Sequence, residues 1–307
     1  MRIVYLSLLL ILSLSCNPKE GIRDYAFEKK VVDSIPVAKV WSAHPVDFDL
    51  ITVDSYQYVV YYDTARQMTI AQRKRGSRTW KKHRLPSVTG WDTHNYVTLA
   101  LDQNGYIHIS GNMHNDPLIY FRSEKPHNIS QFEKLPMTGK REKRVTYPVF
   151  FKNSSDQLFF QYRDGGSGSG VTLWNRYEAD KQEWAQVFDG GLFDGEGETN
   201  AYPYGPVAGP EGYFHIVWMW RLTPVANTNH NLSYIRSKDL VHWETISGEP
   251  VNLPVKWRNS EVIADPAGPW NGLINMSFHI SWDHRERVCI DRKSTRLNSS
   301  HRYVPRM

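Results

Sequence analysis

A unit of about 50 residues recurs along this chain, and that recurrence limits the fold more than any other feature. Four stretches share one grammar: an apolar run, a variable loop, a second run, a polar turn, and a run holding Trp or Phe. They read YQYVVYYDTARQMTIAQRKRGSRTWKKH (56–83), GYIHISGNMHNDPLIYFRSEKPHNISQFEKL (105–135), DQLFFQYRDGGSGSGVTLWNRYEADKQEWAQV (156–187) and GYFHIVWMWRLTPVANTNHNLSYIRSKDLVHWETI (212–246). A fifth begins at NGLINMSFHISWDHRERVCI (271–290). Equivalent central residues Tyr58, Ile107, Phe159, Phe214 and Leu273 lie 49, 52, 55 and 59 residues apart. The runs are short, aromatic and β-branched, with Gly, Pro, Asn and Asp between them. No long stretch keeps a period of 3.6. So long a period, with several strands in each unit, points to an all-β chain folded as a β-propeller. A β-sandwich would not explain the regularity. Four units and part of a fifth leave a ring open with unpaired sheet edges. The expectation is therefore a propeller cut short at about four to five blades.

Composition narrows the class. With 11 Trp, 17 Tyr and 12 Phe and only 22% charged residues, the chain is not disordered. Two cysteines exclude a disulfide scaffold and a Cys-rich zinc module. The net charge of +5 is misleading, because Arg2 and the basic segment 291–307 account for it. The remainder is neutral, so a basic face of the kind that binds nucleic acid is not expected.

The two ends read differently from the body. MRIVYLSLLLILSLSC has a positive start, an apolar core too short for a stable membrane span, and a small residue before Cys16. This pattern resembles a bacterial lipoprotein signal. It implies removal of residues 1–15, lipidation of Cys16, a polar tether over 16–36, and export to the outer membrane or cell surface. An ordinary secretory signal with an incidental cysteine would leave the protein periplasmic or secreted. At the other end, DRKSTRLNSSH (291–301) has no apolar periodicity and follows the strand-like RVCI without a turn signal. It resembles an in-frame translation of a sequencing-adapter oligonucleotide. Residues 291–307 are accordingly set apart as extraneous, leaving 37–290 as an incomplete propeller domain.

Five polar side chains recur at strand entries and exits of neighbouring units: His94, His114, Tyr147, Arg163 and Tyr202. A propeller gathers its ligand groups from such places. Taken singly each has a plain structural reading, a satisfied histidine or a surface ion pair. Their combination carries the weight.

The stretches HNYVTLALDQNGYIHISGNMHNDPLIYFRS, KRVTYPVFF, YRDGGSGSG, DGEGETNAYP and FHIVWMWRLTPVANTNHNLSYIRSKDL resemble the BNR-4 family of seven-bladed propellers. That family includes the ulvan lyases of polysaccharide lyase families 24 and 25. The resemblance implies an enzyme cleaving a uronate-containing, rhamnose-rich glycan. His94 and Tyr147 fall on its catalytic pair, and His114 and Arg163 on the residues binding the uronate carboxylate. Tyr202 falls on a further pocket tyrosine, with Tyr204 the alternative. SKDLVHW (237–243) resembles, in weakened form, the Asp-box turn of sialidase-type propellers.

The chemistry needs these residue types. A lyase takes the C5 proton of a uronic acid and expels the oxygen at C4. A cation at the carboxylate stabilises the negative charge that develops there. The planar, permanently charged guanidinium of Arg163 suits that role, with His114 as a second donor. A histidine titrates in the right range to act as base, and a phenol can protonate the leaving oxygen. The assignment is His94 as base and Tyr147 as acid, with exchange of roles for the C5 epimer of glucuronate.

Other signals read as structural. DGGSGSG (164–170) lacks the ending of a phosphate loop and reads as a flexible connection. Asp194, Glu196 and Glu198 could serve a glycosidase or calcium, but read as a solvated loop. His215 and His230 lack a clear third ligand for zinc, and Cys289 reads as a small buried hydrophobe. No cofactor is expected for the chemistry, and nothing in the sequence supports a structural metal. The expected partner is an acidic glycan, with contact to a membrane only through the lipid. Two alternatives remain: a rhamnose-releasing hydrolase like glycoside hydrolase family 145, and a non-catalytic glycan-binding propeller using Trp218 and Trp220.

Overall fold

The computed structural model describes residues 31–264, 278–283 and 285–292. Cys16, the expected export signal, Leu273 and residues 293–307 lie outside them. The chain divides into Met1–Pro36 and Val37–Met307. Residues 31–36 of the first unit carry no regular structure.

The regular structure among the described residues is strand, apart from three single turns of 3-10 helix. The first sheet holds β1 (Asp49–Val53), β2 (Tyr56–Tyr62), β3 (Gln67–Lys74) and β4 (Lys81–Val88), in that order. The second follows with β5 (Val97–Leu101) and β6 (Ile107–Gly111). Beyond the short β7 (His114–Asp116), it is completed by β8 (Tyr120–Ser123) and β9 (Phe132–Lys134). The third is β10 (Val145–Lys152), β11 (Leu158–Asp164), β12 (Val171–Glu178) and β13 (Glu183–Gln186), with β7 paired to the outside of β10. After β14 (Phe193–Asp194), the fourth sheet is led by β15 (Asn200–Ala208), β16 (Phe214–Arg221) and β17 (Asn229–Ser237). The hairpin β18 (Phe278–Trp282) and β19 (Val288–Arg292) gives part of a fifth. Its last strand runs two residues into the segment set apart above. Successive antiparallel sheets of this kind are the blades of a propeller.

Blades stack face to face, so their middle strands are covered on both sides and read as continuous apolar runs rather than alternating ones. All eight residues of β16 are buried. Trp218 and Trp220 are fully buried there among Trp174, Phe193 and Trp243. They hold blades together and offer no face to a glycan. The repeat seen in the sequence is in phase with the structure: Tyr58, Ile107, Phe159 and Phe214 each lie in the second strand of a sheet. The unit was framed one strand late, because β1, β5, β10 and β15 each precede it. Tyr147 and Tyr202, expected before strands, therefore stand within leading strands.

Polar turns punctuate the sheets as their sequences require. Asp102 accepts hydrogen bonds from the amides of Asn104 and Tyr106. Asn153 does the same for Ser155 and Gln157 one unit later. In SKDLVHW, Asp239 Oδ1 accepts from the amides of Val241 and His242, and Leu240 and Trp243 turn into the core.

Candidate active site

The site forms where leading strands begin and second strands end. His94 stands in the loop joining β4 to β5. Tyr62 fixes that loop by donating its hydroxyl to Asn95 O at 2.6 Å. Asp92 turns it, accepting from the His94 amide at 2.9 Å. His114 opens β7, which is tied to the next blade by the Asn115 amide donating to Thr146 Oγ1 at 2.7 Å. Tyr147 has a φ of 58°, a conformation rare for a bulky residue. The β10–β11 register skips between Thr146 and Val149. A bulge of this kind re-aims a side chain, here the phenol. Arg163 is one residue from the end of β11 and is 5% exposed.

These elements bring the predicted residues together. The His94 and His114 rings stack at 3.9 Å, and the His94 and Tyr147 rings lie 5.6 Å apart. The Arg163 guanidinium sits 5.2 Å from the Tyr147 ring and 5.1 Å from that of Tyr202. Between the two tyrosines considered, the contact with Arg163 belongs to Tyr202. Its hydroxyl accepts from the Gly168 amide at 3.0 Å. DGGSGSG is therefore a pinned segment and not merely a flexible connection. Gly170 permits the packing of Arg163: a Cβ there would lie 2.6 Å from Arg163 Cδ. Gly170→Ala is expected to displace the guanidinium and lower turnover by about ten- to a hundredfold. The overpacking should also lower the melting temperature by a few degrees, which calorimetry beside a rate assay checks.

Two residues of the site escaped the sequence reading. Asp92 bridges both histidines: its Oδ1 lies 2.7 Å from His94 Nδ1 and its Oδ2 2.6 Å from His114 Nδ1. Burial favours its neutral form. The hydrogen bonds from the His94 amide and the two rings outweigh burial and hold the carboxyl far below its usual range. An ionised carboxylate only accepts, so both Nδ1 atoms carry protons and neither Nε2 takes part in the bridge. The other residue is Arg221, buried, 3.8 Å from the Tyr202 ring and bonded through Nε to Asn229 at 2.7 Å. Among the described residues neither Arg163 nor Arg221 forms an ion pair, and Arg163 Nη1 is buried without a hydrogen-bond partner. An unpaired buried guanidinium is costly, so this site is built to receive an anion.

The two phenols are tuned apart. Burial raises Tyr147 above the ordinary phenol value despite Arg163. It therefore holds its proton at neutral pH. In Tyr202 burial acts in the same direction but is outweighed by Arg163, the bonds from Ser167 and Gly168, and Arg221.

His215, His230, Glu196 and Glu198 all have partners within the protein. Asp92, His94 and His114 offer donor atoms within 4.8 Å of one another, the one such group among the described residues. Both Nδ1 atoms there are already engaged with Asp92. His215 bonds Tyr234 at 2.6 Å and His230 lies 3.3 Å from Thr199. They pair with Arg236 and Trp220 respectively, about five residues or ~17 Å apart along the strands, too far to share an ion. Burial pushes His215 down to about 4, so it is neutral at pH 7. Glu198 is bidentate to Arg258 and Glu196 pairs with Lys256, which commits these carboxylates to surface ion pairs. Cys289, expected to be buried, is half-exposed.

A multi-bladed β-sheet propeller with convergent polar groups at the blade ends defines the class. Residues 56–307 match the BNR repeat-containing family, BNR_4, and the chain belongs to it. Over 175 residues it is 23% identical to the short isoform of an ulvan lyase from Alteromonas sp. (strain LOR), covering 52% of this chain and 33% of that relative. The chain thus spans about a third of the length of this curated relative. Its structure resembles the polysaccharide lyase Uly1 (TM-score 0.65, 15% identity, 89% of this chain and 70% of that one). It also resembles a PL25 ulvan lyase (TM-score 0.56, 16% identity, 81% and 62%) and that enzyme type bound to -[GlcA(1-4)Rha3S]- (TM-score 0.56, 15% identity). These likenesses establish the fold.

Proposed function

We propose that this protein is a polysaccharide lyase that cleaves a uronate-containing glycan by β-elimination. The observation that carries the reading is buried Arg163, without a carboxylate of its own, between a phenol that keeps its proton and a pair of imidazoles. The uronate carboxylate pairs with Arg163 and with His114. With its Nδ1 engaged by Asp92, His94 offers its Nε2 as the base. His94 takes the C5 proton, the electrons of the C5–H bond form the C4=C5 double bond, and the C4–O bond breaks. Tyr147 donates its proton to the departing oxygen. The products are a 4,5-unsaturated uronate and a new hydroxyl end. No step is assigned to a metal. For the C5 epimer the proton lies on the opposite face, and Tyr147 and His94 exchange duties.

The preferred substrate is an ulvan-like rhamnose–glucuronate polymer, a reading supported by the relatives' names. The first 16 residues support an exported lipoprotein. Incubation with ulvan should produce the ultraviolet band of a conjugated unsaturated uronate. Free rhamnose without the band would show a hydrolase instead, and binding without either product a lectin-like protein.

Trp91 lies next to Asp92 and is 67% exposed, its ring meeting Trp41 edge-on at 5.2 Å. We expect it to stack on a sugar beside the reacting one. Trp91→Ala should raise KM for the polymer by about five- to tenfold and leave kcat within about twofold. A comparable loss in kcat would place Trp91 in the chemistry instead.

A further inference from the structure

We propose that the first blade carries a second, non-catalytic binding site for an anionic glycan chain, at the opposite end of the sheets from the candidate active site. Residues 73–84, RKRGSRTWKKHR, hold seven Lys and Arg and no acid, more positive charge than the chain's net +5. The absence of a basic face expected from the charge balance therefore does not hold locally. The charge is gathered here and offset elsewhere.

The segment spans the end of β3, the turn and the start of β4. In each blade the candidate site lies where the leading strand begins and the second strand ends, as with Val145 opposite Asp164 and Asn200 opposite Arg221. The β3–β4 turn and the start of β2, where Tyr56 pairs with Lys74, are at the other end. A groove of about 650 Å³ runs there between the first two blades. Arg73, Lys74, Lys81, Lys82 and Tyr56 of the first blade line it, with His127 of the second. Among the described residues these four cations make no ion pair with an acid. The Tyr56 and His127 rings stack at 5.7 Å. The groove is preorganised: Tyr58 Oη lies 3.0 Å from His127 Nδ1, and Gln72 Nε2 donates to Tyr58 Oη at 3.2 Å and to His127 O at 2.6 Å. A second groove of about 640 Å³ also has Lys82 in its wall, together with Arg84. The cations thus form a track rather than a point.

Lysines on an outer strand guard against edge-to-edge pairing, which would account for Lys81 and Lys82. It does not account for Arg73 and Lys74, which belong to an internal strand, or for the fixed aromatic wall. A compact anion needs convergent donors. An open line of cations beside aromatic rings that are held in place fits a polymer that repeats a carboxylate or sulfate group. This site would hold substrate polymer near the enzyme, and it does not depend on the lyase assignment.

The test compares the parent with Lys74→Glu/Lys81→Glu/Lys82→Glu, all exposed positions remote from the catalytic groups. The measurement is retardation in native gels containing ulvan, at two salt concentrations, with His94→Ala as background so that the polymer stays intact. Removal of three exposed charge contacts should raise the dissociation constant by about tenfold or more. The parent's retardation should weaken with salt, and turnover of a short oligosaccharide should remain unchanged. The milder Lys→Gln triple should fall between. Equal retardation of parent and charge-reversed protein would overturn the proposal. So would binding of duplex DNA as tight as that of ulvan at the same ionic strength. Retardation needs no turnover, so a protein that binds through this track yet cleaves nothing would remove the lyase reading and leave this one standing.

Discussion

Arg163→Met should abolish elimination while making the protein more stable. The guanidinium is 5% exposed and forms no ion pair among the described residues. Its compensation comes from two tyrosine rings just over 5 Å away and a long bond from Nε to Gly165 O at 3.4 Å. Folding thus carries an unpaired buried charge. Replacing it with an apolar side chain of similar length should raise stability by about 1–2 kcal/mol, or roughly 2–4 °C in Tm. In the proposed mechanism the same change removes the cation that meets developing negative charge. The expected loss is about 10²–10³-fold or more in kcat. Arg163→Lys should recover little, because an ammonium does not present the guanidinium fork. Calorimetry and initial rates on one preparation read both effects. A destabilised variant with normal rates would make Arg163 a structural residue.

Asp92→Asn should be nearly as damaging, although Asp92 touches no substrate in the proposed mechanism. It is a positioning residue, holding both Nδ1–H groups within 2.7 Å. An amide of the same shape can accept one such bond but presents an NH₂ to the other ring, forcing a tautomer or a flip. Loss of the correct tautomer costs about 10⁴-fold in a comparable Asp–His arrangement, and a shared bridge should cost at least about 10²-fold. Nitrogen NMR of the two imidazoles separates this role from simple folding damage, since a tautomer change alters the Nδ1 and Nε2 shifts while the remaining spectrum stays native. The pH dependence has a definite sign. Because the carboxyl is held below its unfolded value, the bridge contributes fully above the ordinary carboxylate range. That contribution falls away as pH drops through the lower folded value. Asp92→Asn should remove that acid sensitivity.

Much of this was legible in the sequence because a propeller repeats itself. The second strands announced themselves as continuous apolar runs, buried on both faces, at a steady spacing. The leading strands did not, because β10 and β15 contain Pro148, Pro203 and Pro206, which weaken a strand signature. They are tolerated because such strands lie at or near sheet edges. The five polar residues were found through their motifs, and the structure places them side by side. Asp92 and Arg221 were missed for a physical reason: an acid in a loop and an arginine ending a strand look like ordinary surface charge until pairing across blades shows what they face. The basic track was hidden because total charge cannot report where charge is gathered.

In the proposed reaction the groups around Arg163 break the glycan by elimination, without adding water. Digestion of ulvan in ¹⁸O-enriched water, followed by mass spectrometry of the fragments, tests this directly. Elimination yields unsaturated uronate ends with no ¹⁸O at the cleaved bond, and no such products are expected from His94→Ala or Tyr147→Phe. Saturated ends carrying one ¹⁸O, or unchanged product from either variant, would contradict it.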